Sequence, residues 1–171
     1  THTGAVGMEG EEASCVGAGG ECRLPLLDAV SVQDALRVAL VNPRSGPQQG
    51  GGDSILRELD SFFHEDHVHR IGGQSPPAQY LALYADLSKP LLLFVFGGDG
   101  TFQWVVAEMH KLTFAGAPPV LVPVPFGTGN ELANAIGWGS SLSSSRLHDH
   151  LTLVLEHGAV CQLDWWVLQI H

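Results

Sequence analysis

Two short glycine-rich stretches of this sequence are suited to anions. The first is Phe96-Gly97-Gly98-Asp99-Gly100-Thr101, directly after the apolar run 91–95. The second is Pro125-Phe126-Gly127-Thr128-Gly129-Asn130-Glu131-Leu132-Ala133, after the apolar run 120–122. Glycine lets backbone N–H groups come close to an anion and turn toward it, so such loops suit phosphate. Two of them in one small chain point to a nucleotide. Asp99 lies between Gly98 and Gly100. A carboxylate beside a triphosphate repels it unless a cation stands between them, which implies Mg²⁺. The competing reading is that Asp99 caps the helix starting near Thr101. Asn130 can hold a phosphate or a left-handed turn, and Glu131 can bind metal or simply complement a helix N-terminus. A third stretch, Asn42-Pro43-Arg44-Ser45-Gly46, offers an amide, a guanidinium, a hydroxyl and backbone N–H groups. That set suits an anion, although a turn of this composition forms without any ligand.

These residues need a scaffold, and the apolar pattern supplies one. Residues 38–41 form a short, wholly apolar run stopped by Asn42-Pro43, as a buried parallel strand would be. Asp53 can then cap a helix carrying Ile55, Leu56, Leu59, Phe62 and Phe63 on one face. Residues 67–71 are a weak second strand. Ser75-Pro76 opens a helix with Leu81, Tyr84 and Leu87. Residues 91–96 make the best strand, followed by the first glycine loop and a helix with Phe102, Val105, Val106 and Met109 aligned. Residues 120–122 are a fourth strand, then come the second loop and a short helix over 131–136. A last helix spans 143–157, with Gly158 at its end as a C-cap signal, and 160–170 read as a final strand. Strand–helix alternation predicts an α/β fold, a Rossmann-like three-layer α/β/α sandwich. In such folds ligands bind at the carboxyl ends of the strands, where all three loops fall.

Composition narrows the partners. With 171 residues, 44% of them hydrophobic, the chain can bury one α/β core. Residues 1–35 contain little large apolar side chain and read as a disordered leader, with the folded domain over 36–171. A formal charge of −10 with only eight Lys and Arg argues against nucleic acid and against a polybasic membrane anchor. The three cysteines form no CxxC pair, and reduced thiols in a cytoplasmic protein are the simplest account. No apolar run reaches the length of a bilayer span. His64, His67 and His69 lie at a helix–strand junction and read as solvated loop residues rather than metal ligands. His148 and His150, two apart on a helix, point to different faces.

Common nucleotide signatures are absent. There is no GxxxxGK[ST] phosphate loop, no full GxGxxG, and no HRD or DFG of the protein kinases. The loops at 42–46, 97–101 (with Trp104-Val105 following) and 125–133, together with Gly137-Trp138-Gly139 and Leu163-Asp164-Trp165-Trp166, occur in an order and spacing that resembles the catalytic domain of the eukaryotic diacylglycerol kinases. The likeness covers residues 37–166. GGDG alone also marks NAD kinases and phosphofructokinases, but five elements in register are specific.

The resemblance implies the diacylglycerol kinase/NAD kinase type of sandwich, and ATP- and Mg²⁺-dependent phosphorylation of diacylglycerol to phosphatidic acid in lipid signalling. It further implies transient contact with membranes by a cytoplasmic protein. By that likeness Gly97, Gly98, Gly100 and Thr101 bind the ATP phosphates, with Gly98 placed where a side chain would intrude on the nucleotide. Asn42, Ser45, Gly127, Thr128, Gly129 and Asn130 complete the pocket, while Asp99 acts catalytically through the metal or the reacting phosphate, with Glu131 as a second metal candidate. The family usually has Leu, Asp and Arg where Phe126, Glu131 and Asn134 stand. It also continues into a mostly β accessory lobe, so the expectation here is the nucleotide lobe alone. An NAD kinase-like enzyme and a non-catalytic nucleotide-binding scaffold are the alternatives.

Overall fold

The computed structural model of the chain describes residues 34–46, 55–56, 58–160 and 163. Four strands, β1 (Leu36–Val41), β2 (Val68–Arg70), β3 (Leu91–Gly97) and β4 (Val120–Pro125), form one parallel sheet in the order β2-β1-β3-β4. Every residue of β3 is buried, because a central parallel strand is covered on both faces. Successive side chains diverge to opposite sides. Ala39, Val41, Leu92, Phe94, Phe96, Val122 and Val124 build one core, while Val38, Leu40, Leu91, Leu93 and Val95 build the other. Each fully buried Leu or Phe among them contributes about 2 kcal/mol.

Helices cover both faces, which gives the expected three layers. The first core is roofed by Ile55, Leu59 and Phe63 from the β1–β2 connection, and by Leu147 and Leu151 of α4 (Leu147–His157). Phe63 stands edge-on to Phe94, with ring centroids 5.1 Å apart. The second core is roofed by Leu81 of α1 (Pro77–Leu81), by Tyr84 just beyond it, and by Phe102, Val105 and Val106 of α2 (Asp99–Met109). The chain thus leaves β1 on one face and β3 on the other. The sheet order reverses between these neighbours, and the loops after β1 and β3 flank the crevice that results.

Several sequence expectations change in detail. The helix expected to run through Leu87 is α helix only to Leu81 and then tightens to a 3₁₀ turn, Ala82–Tyr84, leaving Leu87 40% exposed. The segment at 59–63 is a 3₁₀ turn, Leu59–Ser61, rather than a continuous helix. Gly158 ends α4 at φ −63°, an extended conformation open to any residue, so it is no left-handed cap. Glycine suits the position because an added Cβ would strike the Val154 carbonyl oxygen. The Asp53 cap, residues 1–33 of the leader expected over 1–35, and most of the strand expected over 160–170, with Asp164, Trp165 and Trp166, lie outside the described residues; Ala35 is buried in the first core, and residues 160 and 163 are not in a strand.

Proline placement in β4 follows from the ladder. Phe126 N–H donates to the Gly97 carbonyl at 3.1 Å, so the alternate positions 123 and 125 face away from β3. Pro123 and Pro125 therefore lack a donor only on the outer side, where no ladder bond to β3 is lost. The outward carbonyl of Pro125 accepts the Leu142 N–H at 3.0 Å.

Candidate functional site

The three loops singled out in the sequence meet at the carboxyl edge of β1, β3 and β4. At the centre is Thr101, buried in the first turn of α2. Its hydroxyl accepts from Asn42 Nδ2 at 2.8 Å and shares a hydrogen bond with the Ser45 hydroxyl at 3.2 Å. Asn42 Oδ1 in turn accepts the Arg44 N–H at 3.0 Å, which shapes the turn after β1. Gly46, at φ +108°, needs the left-handed conformation, and a Cβ there would lie 3.3 Å from the Phe126 carbonyl oxygen. The first and third loops are joined through one threonine.

The two glycine loops interlock even more closely. A Cβ on Gly98 would sit 2.5 Å from the Gly129 carbonyl oxygen, and one on Gly127 would collide with the Gly98 backbone. For Gly98 the structure adds a constraint that the sequence does not show: a side chain there meets the second loop of the protein itself. Asp99 N–H donates to the Gly129 carbonyl at 3.0 Å. The Asp99 carboxylate accepts the N–H of Glu131 at 2.9 Å and of Leu132 at 3.1 Å. These two donors open α3 (Glu131–Ala135), so Asp99 does cap a helix, although not the one it begins.

Asn130 is buried, with φ −143°, and so is not in a left-handed turn. Its Oδ1 accepts from Gly127 N–H at 3.0 Å, while Nδ2 donates to the carbonyls of Gly127 and Ser140, each at 2.7 Å. The side chain is fully engaged in closing the loop. Ser140 comes within reach because α3 ends in a Schellman motif: Gly137 N–H bonds to Asn134 O and Trp138 N–H to Ala133 O, with Gly137 at φ +88°. The Gly137-Trp138-Gly139 element is thus a return that delivers Ser140 to Asn130. A glycine just past a short helix is the one local signal of this turn, and it does not show that Ser140 returns to Asn130, ten positions before it.

What remains for a ligand is a row of backbone donors. The N–H groups of Gly98, Gly100, Thr128 and Gly129 donate to no acceptor among the described residues. Thr128, Gly129, Gly100 and Arg44 are exposed at the same rim. Beside them Asp99, Phe102, Gln103, Glu131 and Leu132 line an open hollow of about 320 Å³. Glu131 and Asn134 both point into solvent-accessible space. Among the described residues no group of three His, Cys, Asp or Glu side chains is gathered as a metal centre.

The histidines divide differently from the sequence expectation. His69 is not a solvated loop residue. It lies in β2, its Nε2 is 2.6 Å from the Tyr84 hydroxyl, and its ring stacks on Tyr80 at 4.5 Å. Burial, and then the neighbouring His67, push the His69 pKa down; burial, and then Asp66, push the Tyr84 phenol up to about 12. His148 packs edge-on to Phe62 and His150 edge-on to Trp138, consistent with different faces of α4. Burial, and then Arg146, lower the His150 pKa, and its Nε2 is enclosed without a hydrogen-bond partner among the described residues.

Comparison with known proteins shows the family. The family model described as the diacylglycerol kinase catalytic domain matches residues 37–159. "Probable diacylglycerol kinase 3" of Caenorhabditis elegans is 37% identical over 148 residues, which are 85% of this chain and 18% of that protein. Diacylglycerol kinase zeta of Homo sapiens is 33% identical over 131 residues, 77% of this chain and 14% of that protein. The chain therefore spans less than a fifth of the length of these relatives. A solved structure from Bacillus anthracis, assigned to the diacylglycerol kinases, shares the fold with a TM-score of 0.52 and 24% identity, covering 71% of this chain and 39% of that one. With the match running from the first strand to just past α4, and all three loops inside it, the chain belongs to the diacylglycerol kinase family through its catalytic domain.

Proposed function

We propose that this crevice binds ATP and that the protein transfers the terminal phosphoryl group to the primary hydroxyl of diacylglycerol. The observation that supports this most is the convergence of three strand-end loops, one joined to the first glycine loop through Thr101 and the other through Gly98 and Asp99, with the N–H groups of Gly98, Gly100, Thr128 and Gly129 without acceptors among the described residues. Phosphoryl transfer asks mainly for positioning and charge neutralisation, and a row of fixed backbone donors provides both. Asn42, Ser45 and Thr101 set the floor of the nucleotide pocket. Gly97, Gly127 and Asn130 shape the loops that carry the donors. The acceptor comes from the names of the relatives. In the reaction the hydroxyl oxygen bonds to the γ-phosphorus, the bond from that phosphorus to the bridging oxygen of ADP breaks, and the hydroxyl proton leaves to a base.

Mg²⁺ is part of the proposal. Magnesium is commonly held by one or two carboxylates together with phosphate oxygens and water. Asp99 and Glu131 are oxygen donors on one hollow next to the backbone row, which fits such an ion. Each Asp99 oxygen accepts one N–H and keeps a second lone pair, while Glu131 is exposed. The ion would neutralise the phosphate charge that these carboxylates otherwise repel. Residues 36–171 would act as the nucleotide lobe behind the leader, with a further lobe completing the lipid site. The protein would work in the cytoplasm and meet its acceptor at a membrane surface by peripheral contact. No helix among the described residues is long and apolar enough to cross a bilayer.

Calorimetry of this chain with Mg-ATP, and radiolabelled ATP transfer to diacylglycerol or to NAD by the longest product of its gene, test the proposal. Saturable ATP binding and labelled phosphatidic acid are expected. Labelled NADP in place of phosphatidic acid, or no ATP binding at millimolar concentration, overturns it.

A further inference from the structure

We infer that Asp99 acts as a positioning residue for the second glycine loop, setting the geometry of the phosphate donors through the backbone of α3. The four leading N–H groups of a helix have no partner within it, and a residue at the N-cap usually supplies one. In α3 the N-cap is Asn130, and it makes no side-chain capping bond. Its amide is committed to Gly127 and Ser140. The capping is done instead from 32 residues away, by Asp99, whose two carboxylate oxygens take the N–H groups of Glu131 and Leu132 at 2.9 and 3.1 Å. Asp99 N–H bonds to the Gly129 carbonyl at 3.0 Å, so one residue grips the second loop both before and after Asn130.

Three consequences follow for the site. The start of α3 is occupied by a protein carboxylate and is closed to a phosphate. Gly129, whose carbonyl takes the first grip and whose N–H has no acceptor among the described residues, is fixed relative to Gly98 and Gly100 before any ligand arrives. A donor row held this way needs no reorganisation at the moment of reaction. The negative charge also complements the partial positive charge of the helix start. The effect on ATP affinity rests on the nucleotide proposal; the grip on α3 does not.

Amide hydrogen exchange on ligand-free protein reads the grip directly. Glu131 and Leu132 have no intrahelical acceptor, so any protection they show comes from Asp99. Exchange at both amides is expected to rise about tenfold or more in Asp99→Ala, the loss of charge-assisted bonds. In Asp99→Asn, one oxygen can still accept and one of the two amides should stay protected. Circular dichroism confirms that each variant is folded; should Asp99→Ala not fold, Asp99→Asn decides alone. Unchanged protection in the folded variants overturns the inference. Calorimetry with ATP, in Mg²⁺ and in EDTA, then separates positioning from metal binding. A loss of affinity is expected in both media, the larger one in Mg²⁺, where the contact of Asp99 with the ion is lost as well. A loss confined to Mg²⁺, or intact affinity despite lost protection, removes the positioning role. If the wild-type chain binds no ATP, the nucleotide proposal fails and the exchange result still decides whether Asp99 holds α3.

Discussion

At the scale of single residues, adjacent glycines of one motif serve different physical ends. Gly97 leaves room for the Thr101 side chain, since a Cβ there would lie 2.6 Å from the Thr101 Cβ. Gly98 leaves room for the second loop, and Gly100 has nothing within 4 Å. Gly98→Ala is therefore expected to destabilise the ligand-free protein by about 1–3 kcal/mol, as overpacking does. Gly100→Ala, in the first turn of α2, should leave it unchanged or raise stability by up to about 1 kcal/mol, as alanine replaces glycine in a helix. Urea unfolding midpoints compare the two, and equal losses would show that the loops do not interlock as described. The residue types of the site were legible because glycine, Asp and Asn at strand ends carry their own local signals. What Asn130 and Asp99 bond to was not, since their partners lie 10 and 32–33 positions away and no local pattern encodes such distances.

At the scale of elements, α3 shows how a five-residue helix persists with contacts at both ends. Asp99 holds its start, and the Gly137 return holds its finish. Gly137 has φ +88° and no atom within 4 Å of an added Cβ, so its constraint is conformational alone. Gly137→Ala should cost about 1 kcal/mol, and Gly137→Asn less, because asparagine enters the left-handed region more readily. Thermal melts check the ranking; a reversed order would argue against the left-handed turn. β1, β3 and β4 were legible as apolar runs ended by turn residues. The length of α1 was not: Ser75-Pro76 announced its start, with Pro77 as the first helical residue, but nothing local marked the tightening after Leu81.

At the scale of the whole molecule, stability is expected to follow two half-buried histidines. His69 and His150 titrate below their ordinary value of 6.5 in the folded chain, so in that window the unfolded chain binds more protons. Their contribution is whole above pH 6.5 and declines as pH falls toward the lowered values. His150→Phe, which keeps a ring against Trp138, should show a smaller drop in urea midpoint between pH 7.5 and 5.5 than the wild type. An equal drop would place the acid sensitivity elsewhere. Tyr84 works in the opposite sense: its contribution persists below pH 10 and is lost between 10 and about 12. The layered architecture was legible because alternation of strand and helix allows few arrangements, whereas the roles of His69 and His150 depended on which layer each entered. The outer margin of β4 carries one more implication. Unpaired margins of sheets recruit foreign strands by offering donors and acceptors in alternation. Among the described residues no strand pairs with the outer side of β4, where Pro123 and Pro125 withhold two donors and Leu142 has already claimed the Pro125 carbonyl. The margin nearest the crevice is consequently a poor template for a second copy of the chain, and crowding at high concentration should not start there.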